Sequence, residues 1–250
     1  MALTQEQLDF FWQNGYVRCG KVLENDQIDL LRVEYDRVLA EAIKQDDYRN
    51  LAVEDASSSE TKQAAPLKVL QVMNPHLRSI HFTQLLYNSA ILDRVEDLIG
   101  PNIMLHHNQA IWKPPFEGGP VLWHQDNAYW KCRPANLVSC WLTLDDVDED
   151  NGAMQMIPGS HLHPLWHDSA QKGPMMEMQG VDESKRVVVD LPAGGCMFHH
   201  CQTLHRSAPN TTDRQRRAHA IHFMPPGTFH TAGNLRYCVG YEHPMLRAHV

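Results

Sequence analysis

The spacing of apolar residues changes character about a hundred residues into the chain. Thr4 to Asn14 predicts a short helix: Leu8, Phe11 and Trp12 share a face, Thr4 can cap the start with Gln7 three residues on, and Gly15 stops it. Tyr16 to Cys19 predicts a brief strand. A long helix opens at Asn25 or Asp26, with Ile28, Leu31, Tyr35, Val38, Leu39 and Ala42 at helical spacing. Residues 46–65 are polar and predict an exposed, mobile loop. Residues 76–99 carry further helical character, ending at Gly100-Pro101.

Beyond Gly100 the helical period gives way to short strand-like runs: Ile103–Trp112, Leu137–Leu144, Ala153–Ile157, Val187–Leu191, Cys196–His200 and Ala218–Met224. Turn residues separate them, and Asn151-Gly152 reads as a hairpin turn. Helices first and many short strands afterwards predict a mostly β fold, a sandwich or barrel braced by N-terminal helices. No linker divides the 250 residues, so the expectation is one domain, mainly helical over 1–100 and a strand-built core over 101–250.

Composition narrows the class. Hydrophobic residues make up 43% and charged residues 21%, as in ordinary globular proteins. The formal charge of −8 disfavours nucleic acid as a partner. No apolar run is long enough to span a membrane, and no secretory signal opens the chain. Six scattered cysteines without a C-x-x-C pair predict reduced thiols and a cytoplasmic location. Histidine is the outlier, at 16 residues. Most of these must be ordinary surface or core residues, but a few invite metal or proton chemistry.

The sharpest chemistry lies in Trp123-His-Gln-Asp-Asn127. His124 and Asp126 are two apart, and on an extended strand both point to one face. H-x-D alone is weak evidence. His205, 81 residues downstream, offers the third ligand. Two histidines and one carboxylate leave three metal positions open, which suits non-haem Fe(II), whereas structural zinc prefers four ligands. An oxygenase of this type needs a cosubstrate, and in one large class that is 2-oxoglutarate. Arg216, eleven residues after His205, can pair bidentately with its far carboxylate if the chain reverses at Pro209–Asp213 onto an adjacent strand. Ser207 shares the His205 face and could donate to the same carboxylate. Ala218 and Ala220 would leave room for it.

At this point the sequence resembles the phytanoyl-CoA dioxygenase family of Fe(II)/2-oxoglutarate oxygenases. The resemblance rests on Lys113-Pro-Pro, Trp123–Trp130, Asp150–His161, His199–Asn210 and Arg216-Arg-Ala218, in that order. It implies a double-stranded β-helix, or cupin-like jelly roll, with iron on His124, Asp126 and His205 and the 2-oxoglutarate C5 carboxylate on Arg216 and Ser207. It further implies that Gln109, His107 and Trp130 lie near the cosubstrate. O2 is the second cosubstrate, and 2-oxoglutarate becomes succinate and CO2 as a C–H bond of a small molecule is oxidised. The presence of Asp126 favours hydroxylation or another oxidation over halogenation. Asn127, Tyr129 and the 46–65 loop are candidates for substrate contact.

Two other readings compete. One is a non-catalytic jelly-roll binding protein, and the other a cupin-like metalloenzyme that does not use 2-oxoglutarate; Arg216 argues against the second. The pairs His106-His107 and His199-His200 cannot chelate as units, since strand neighbours face opposite ways. His161, His163 and His167 are read as loop residues, the acidic run Asp145–Asp150 as a solvated loop, and His222 as a core histidine that could touch the pocket.

Overall fold

The structure is a computed structural model that describes residues 2–51, 66–163, 175–231, 235–236 and 240–249. The first helix, α1 (Gln5–Asn14), forms as its caps dictate. Thr4 accepts from the Gln7 amide while Gln7 reaches back to Thr4, and Gly15 ends the helix at φ 81°. The second, α2 (Asn25–Lys44), buries Ile28, Leu31, Tyr35, Val38, Leu39 and Ala42, the six positions on its apolar stripe. Residues 76–99 form two helices, not one. Asn88 interrupts the run and caps the second, so that Ile80–Leu86 and Ser89–Ile99 pack separately.

Among the described residues fifteen strands follow one another: β1 (Tyr16–Lys21), β2 (Arg49–Asn50), β3 (Leu70–Met73), β4 (Ile103–Lys113), β5 (Val121–His124), β6 (Cys132–Arg133), β7 (Val138–Thr143), β8 (Met154–Met156), β9 (Val187–Val189), β10 (Gly195–His200), β11 (His205–Ser207), β12 (Arg216–Met224), β13 (Phe229–His230), β14 (Leu235–Arg236) and β15 (Met245–Arg247). The major sheet runs β1-β10-β7-β12-β4-β3-β2, with β15 also paired to β4. The minor sheet runs β5-β11-β8-β9, and β14-β13-β6 form a third, small sheet. Every pairing is antiparallel. Two antiparallel sheets face to face make the expected jelly roll.

The major sheet is covered on both faces, which explains why its strands do not alternate cleanly between apolar and polar. On its outer face Leu142, Phe198, Ile221 and Phe223 pack against Leu31, Val38, Phe82 and Val95 of the helices. On its inner face Trp141, Met197, Ala218 and Ala220 meet Met154, Met156 and Val189 of the minor sheet. The region expected to be mainly helical is tied into this sheet by β1, β2 and β3. The 46–65 segment contributes β2 and a buried Tyr48, while residues 52–65 lie outside the described residues.

Two local expectations fail for a common reason, passage of the chain between sheets. Asn151-Gly152 is not a hairpin turn. Asn151 closes a short 3-10 turn capped by Asp148, Gly152 follows at φ 92°, and the chain passes from β7 in the major sheet to β8 in the minor one. Likewise β11 and β12 are not neighbours. The segment between them crosses from the minor to the major sheet, so Arg216 pairs with Lys113 of β4 and not with the His205 strand. The acidic run serves these crossings: Asp145 binds Arg217 at 2.8 Å and Asp148 binds Arg214 at 2.7 Å.

One outer-face residue gives a pH prediction. The His219 ring stacks on Phe82 with centroids 4.8 Å apart, and neither ring nitrogen has a hydrogen-bond partner among the described residues. Burial, then the field of His76, pushes its pKa down to about 3. The unfolded chain therefore binds a proton near pH 6.5 that the folded chain refuses, so stability is lost as pH falls below that value. Between pH 6.5 and 5 the loss from this residue is about 1.6 kcal/mol, the slope rising toward about 1.4 per pH unit as the unfolded histidine becomes fully protonated. Melting temperature should fall over that range, and His219→Gln should flatten the dependence; an equal slope in the variant would refute the assignment.

Candidate metal centre

The centre is built where the minor sheet meets the short helix Asp126–Trp130. His124 ends β5 and lies directly opposite His205 at the start of β11. Gln125 stays extended and, buried, turns away from the centre to donate to the Gln202 carbonyl at 2.6 Å. Asp126 then opens the helix, so the i, i+2 geometry persists through Gln125 although the strand has ended. The Asp126 Oδ1 atom is 3.7 Å from the Nε2 atoms of both His124 and His205. One ligand atom from each of the three side chains lies within 4.8 Å of the others, and all three residues are buried.

Hydrogen bonds fix the state of each group. His124 Nδ1 meets the Leu122 carbonyl at 2.7 Å and His205 Nδ1 meets the Thr203 carbonyl at 2.9 Å. A carbonyl only accepts, so each Nδ1 carries the proton and each Nε2 offers a lone pair. Burial lowers both pKa values, to about 3 for His205, which keeps the rings neutral at pH 7. Burial alone would raise the Asp126 carboxyl. The His205 and His199 rings and the hydrogen bond from His199 outweigh it, and the carboxyl stays well below its usual range. Two neutral imidazoles and one carboxylate, converging on one point beside a cavity, fit a metal ion with open positions.

The second carboxylate oxygen is held from behind. Asp126 Oδ2 accepts from His199 Nε2 at 3.0 Å and from Ser139 Oγ at 3.2 Å. Ser139 spends its only proton there, so His222 Nδ1 must donate to Ser139 Oγ, 2.7 Å away. That leaves His222 Nε2 to accept from the Gln109 amide at 3.1 Å, and Gln109 in turn accepts from Gln71. A one-way chain of donors thus runs from β3 through β4, β12 and β7 to the carboxylate.

Two connected cavities open on the centre. The inner one, about 90 Å³, is lined by Ile111, Trp141, His205, Ser207 and Ala220 among others. It holds roughly six to nine water-sized atoms at 10–15 Å³ each. The outer one, about 490 Å³, reaches past His107, Tyr129 and Trp130 to Met73, Arg49 and His230. His124, Asp126, Gln71 and Gln109 border both. Arg216 is 1% exposed, with its guanidinium 5.9 Å from the Trp141 ring centre. Its Nη1 donates to the Ile111 carbonyl at 3.1 Å, while Nε has no partner among the described residues. A buried guanidinium with an unspent donor, set behind the cavity-lining Ile111 and Trp141, fits an anion.

The sequence-derived candidates divide by placement. His107, Gln109, Trp130 and Tyr129 line the outer cavity, Ser207 the inner one, and Gln109 both. The Tyr129 hydroxyl is already engaged, accepting from the Met176 amide at 2.6 Å. Asn127 lines neither cavity. Its amide accepts from the Cys132 N–H at 2.8 Å and donates to the Cys132 carbonyl at 3.3 Å, which fixes the end of the helix. Sequence reading missed His199, Ser139, Gln71, Trp141 and Arg49. For His199 a signal existed, because strand alternation sends one member of His199-His200 inward. Ser139 and Trp141 carried none, since β7 is buried on both faces.

The jelly roll and the His-Asp-His centre define an iron- and 2-oxoglutarate-dependent dioxygenase, an oxidoreductase. The model of the phytanoyl-CoA dioxygenase family matches residues 11–218, and the chain belongs to that family. Among curated proteins it is 28% identical over 237 residues to the peroxisomal phytanoyl-CoA dioxygenase of Mus musculus, covering 89% of this chain and 68% of that one. It is 32% identical over 180 residues to a probable alpha-ketoglutarate-dependent hypophosphite dioxygenase of Stutzerimonas stutzeri, covering 66% and 63%. Among solved structures, the epimerase SnoN with Fe3+, alpha ketoglutarate and nogalamycin RO shares the fold at a TM-score of 0.81, with 22% identity over 97% of this chain and 98% of that one. EvdO2 from Micromonospora carbonacea, complexed with 2-oxoglutarate, is 28% identical at a TM-score of 0.67, covering 92% and 94%.

The bonds behind Asp126 can be tested. Removing a partner that orients a metal ligand commonly weakens metal affinity 10–100-fold. Ser139→Ala should weaken Fe(II) binding by about tenfold in an anaerobic titration. Unchanged affinity would show that His199 alone holds the carboxylate.

Proposed function

We propose that this enzyme oxidises a C–H bond of a small polar metabolite, with iron on His124, Asp126 and His205 and the C5 carboxylate of 2-oxoglutarate on Arg216 and Ser207. The observation that carries this reading is the inner cavity. It is bounded by the triad and Ser207 and by Ile111 and Trp141, the two residues that the buried Arg216 guanidinium touches from behind, and this puts a free donor within one side chain of the space a short diacid chelating the metal would fill. A cupin-like enzyme without 2-oxoglutarate would have no use for that arginine. Bound iron and 2-oxoglutarate supply the oxidising power, with succinate and CO2 as by-products.

The chain's own residues do the rest. The Nδ1–H groups of His124 and His205 anchor both rings to backbone carbonyls, so the open metal positions have a fixed direction. Arg216 and Ser207 set how deep the cosubstrate sits. Gln109 and Trp130 border the space around it, and His107, with Trp130 and Tyr129, forms the wall against which a substrate is oriented. The outer cavity of about 490 Å³ is in the range of small-molecule sites. Among the described residues that line it, Asp126 is the only carboxylate and Arg49 the only full cation, so a polar substrate that is neutral or anionic fits better than a cationic one.

One domain suffices for this, since β1, β2 and β3 complete the sheet that bears the site. The five described cysteines are free thiols, which supports a reducing compartment such as the cytoplasm. No helix among the described residues is long and apolar enough to cross a membrane.

Anaerobic Fe(II) followed by 2-oxoglutarate should give a weak visible charge-transfer band that is absent in His124→Ala. Arg216→Met should weaken 2-oxoglutarate binding by tenfold or more, the loss of a charge-assisted bidentate contact. No band, and no succinate formed from 2-oxoglutarate, would overturn the reading.

A further inference from the structure

Lys113 is buried completely, yet nothing so far has used it. It ends β4 directly opposite Arg216 on β12, so two cations stand side by side on paired strands inside the protein. Like charges in that position repel, and each has lost its water. Among the described residues neither forms an ion pair. The acid that bears on Arg216, Asp145, is committed to Arg217 at 2.8 Å. Burial, then Arg216, pushes the Lys113 ammonium well below its ordinary range.

The surroundings are shaped to admit this side chain. A Cβ on Gly118 would come 2.8 Å from Lys113 Cβ, and one on Gly152 would come 3.1 Å from Lys113 Cδ. Asn210 donates to the Lys113 and Pro114 carbonyls at 3.3 and 3.0 Å, pinning the strand end. The lysine stem runs through this gap, and Nζ donates to the carbonyls of Ser207, at 3.3 Å, and Ala208. Ser207 lines the inner cavity two residues beyond His205.

We infer that Lys113 is a positioning residue for the far carboxylate of the cosubstrate, fixing the Ser207 backbone from behind and adding its charge to that of Arg216. Lys113 and Arg216, without an acidic partner among the described residues, stand side by side behind the inner cavity wall, bonded to the carbonyls of its lining residues Ser207 and Ile111, and a carboxylate at that wall would hold the lysine protonated. A 2-oxo diacid supplies the missing negative charge there, and a 2-oxo monoacid does not. Lys113 therefore sets the preference for a diacid, beyond the direct contacts of Arg216 and Ser207. The inference rests on the assignment of Arg216 as the carboxylate anchor.

The test compares two ligands on one protein. Binding of 2-oxoglutarate and of 2-oxobutyrate, which lacks the far carboxylate, is measured by calorimetry on the anaerobic Fe(II) enzyme. Lys113→Met should weaken 2-oxoglutarate at least tenfold and 2-oxobutyrate less than threefold. Lys113→Gln, which can still donate to the carbonyls, should show the same split, and Lys113→Arg should keep most of the preference. Equal weakening of both ligands would show a purely structural lysine and overturn the inference, as would no weakening of either or unfolding of all three variants. Arg216→Met separates the two claims. If it leaves 2-oxoglutarate binding intact, the carboxylate assignment fails; if it weakens binding and Lys113→Met does not, only the lysine inference fails.

Discussion

A carboxylate sealed inside a protein must be given partners, and the centre of this molecule is arranged around that demand. Asp126 uses one oxygen toward the two imidazole lone pairs and the other toward His199 and Ser139. The first half of that division makes a ligand set. The second makes the carboxylate affordable in a dry interior, because charge-assisted hydrogen bonds replace the water it has lost. Those partners come from β10 and β7 of the major sheet, whereas His124 and His205 belong to the minor one. The centre is therefore a clasp between two sheets, and their packing and the site's geometry are one problem.

The surrounding architecture follows from the same need. The major sheet must be rigid for its inner face to hold Ser139, His199, Gln109 and His222 in register, and it is long enough to do so only because helices bury its outer face. The N-terminal region thus reaches the chemistry indirectly. It contributes the apolar layer that keeps β7, β10 and β12 in place, and through Gln71 of β3 it supplies the first donor of the chain that ends on Asp126.

Much of this was legible in the sequence, for identifiable reasons. The stripe on α2 was readable because only one face of that helix is buried. The triad was readable because its residue types are rare in combination and Gln125 preserves the extended spacing. The turn at Asn151-Gly152 and the placement of Arg216 were misread. Local turn chemistry is the same whether a chain returns to its own sheet or crosses to the opposite one, and only the tertiary pairing decides. Asn127 illustrates a different limit, since an asparagine beside a ligand can serve a substrate or close a helix, and here it bonds Cys132. His199 was set aside because it could not chelate together with His200, an argument that says nothing about supporting a ligand from behind.

The crossing between β11 and β12 has a further consequence. Ser207 and Arg216 belong to opposite sheets, so in the proposed arrangement the gap between the sheets acts as a caliper for the cosubstrate. Its jaws ride on two sheets whose separation is fixed by two hydrophobic layers. The outer cavity is bounded instead by the short Asp126–Trp130 helix, the early part of β4 and rim residues such as Arg49. That wall can be rebuilt one residue at a time without moving the jaws. A molecule made this way can vary what it oxidises while its oxidising partner stays the same.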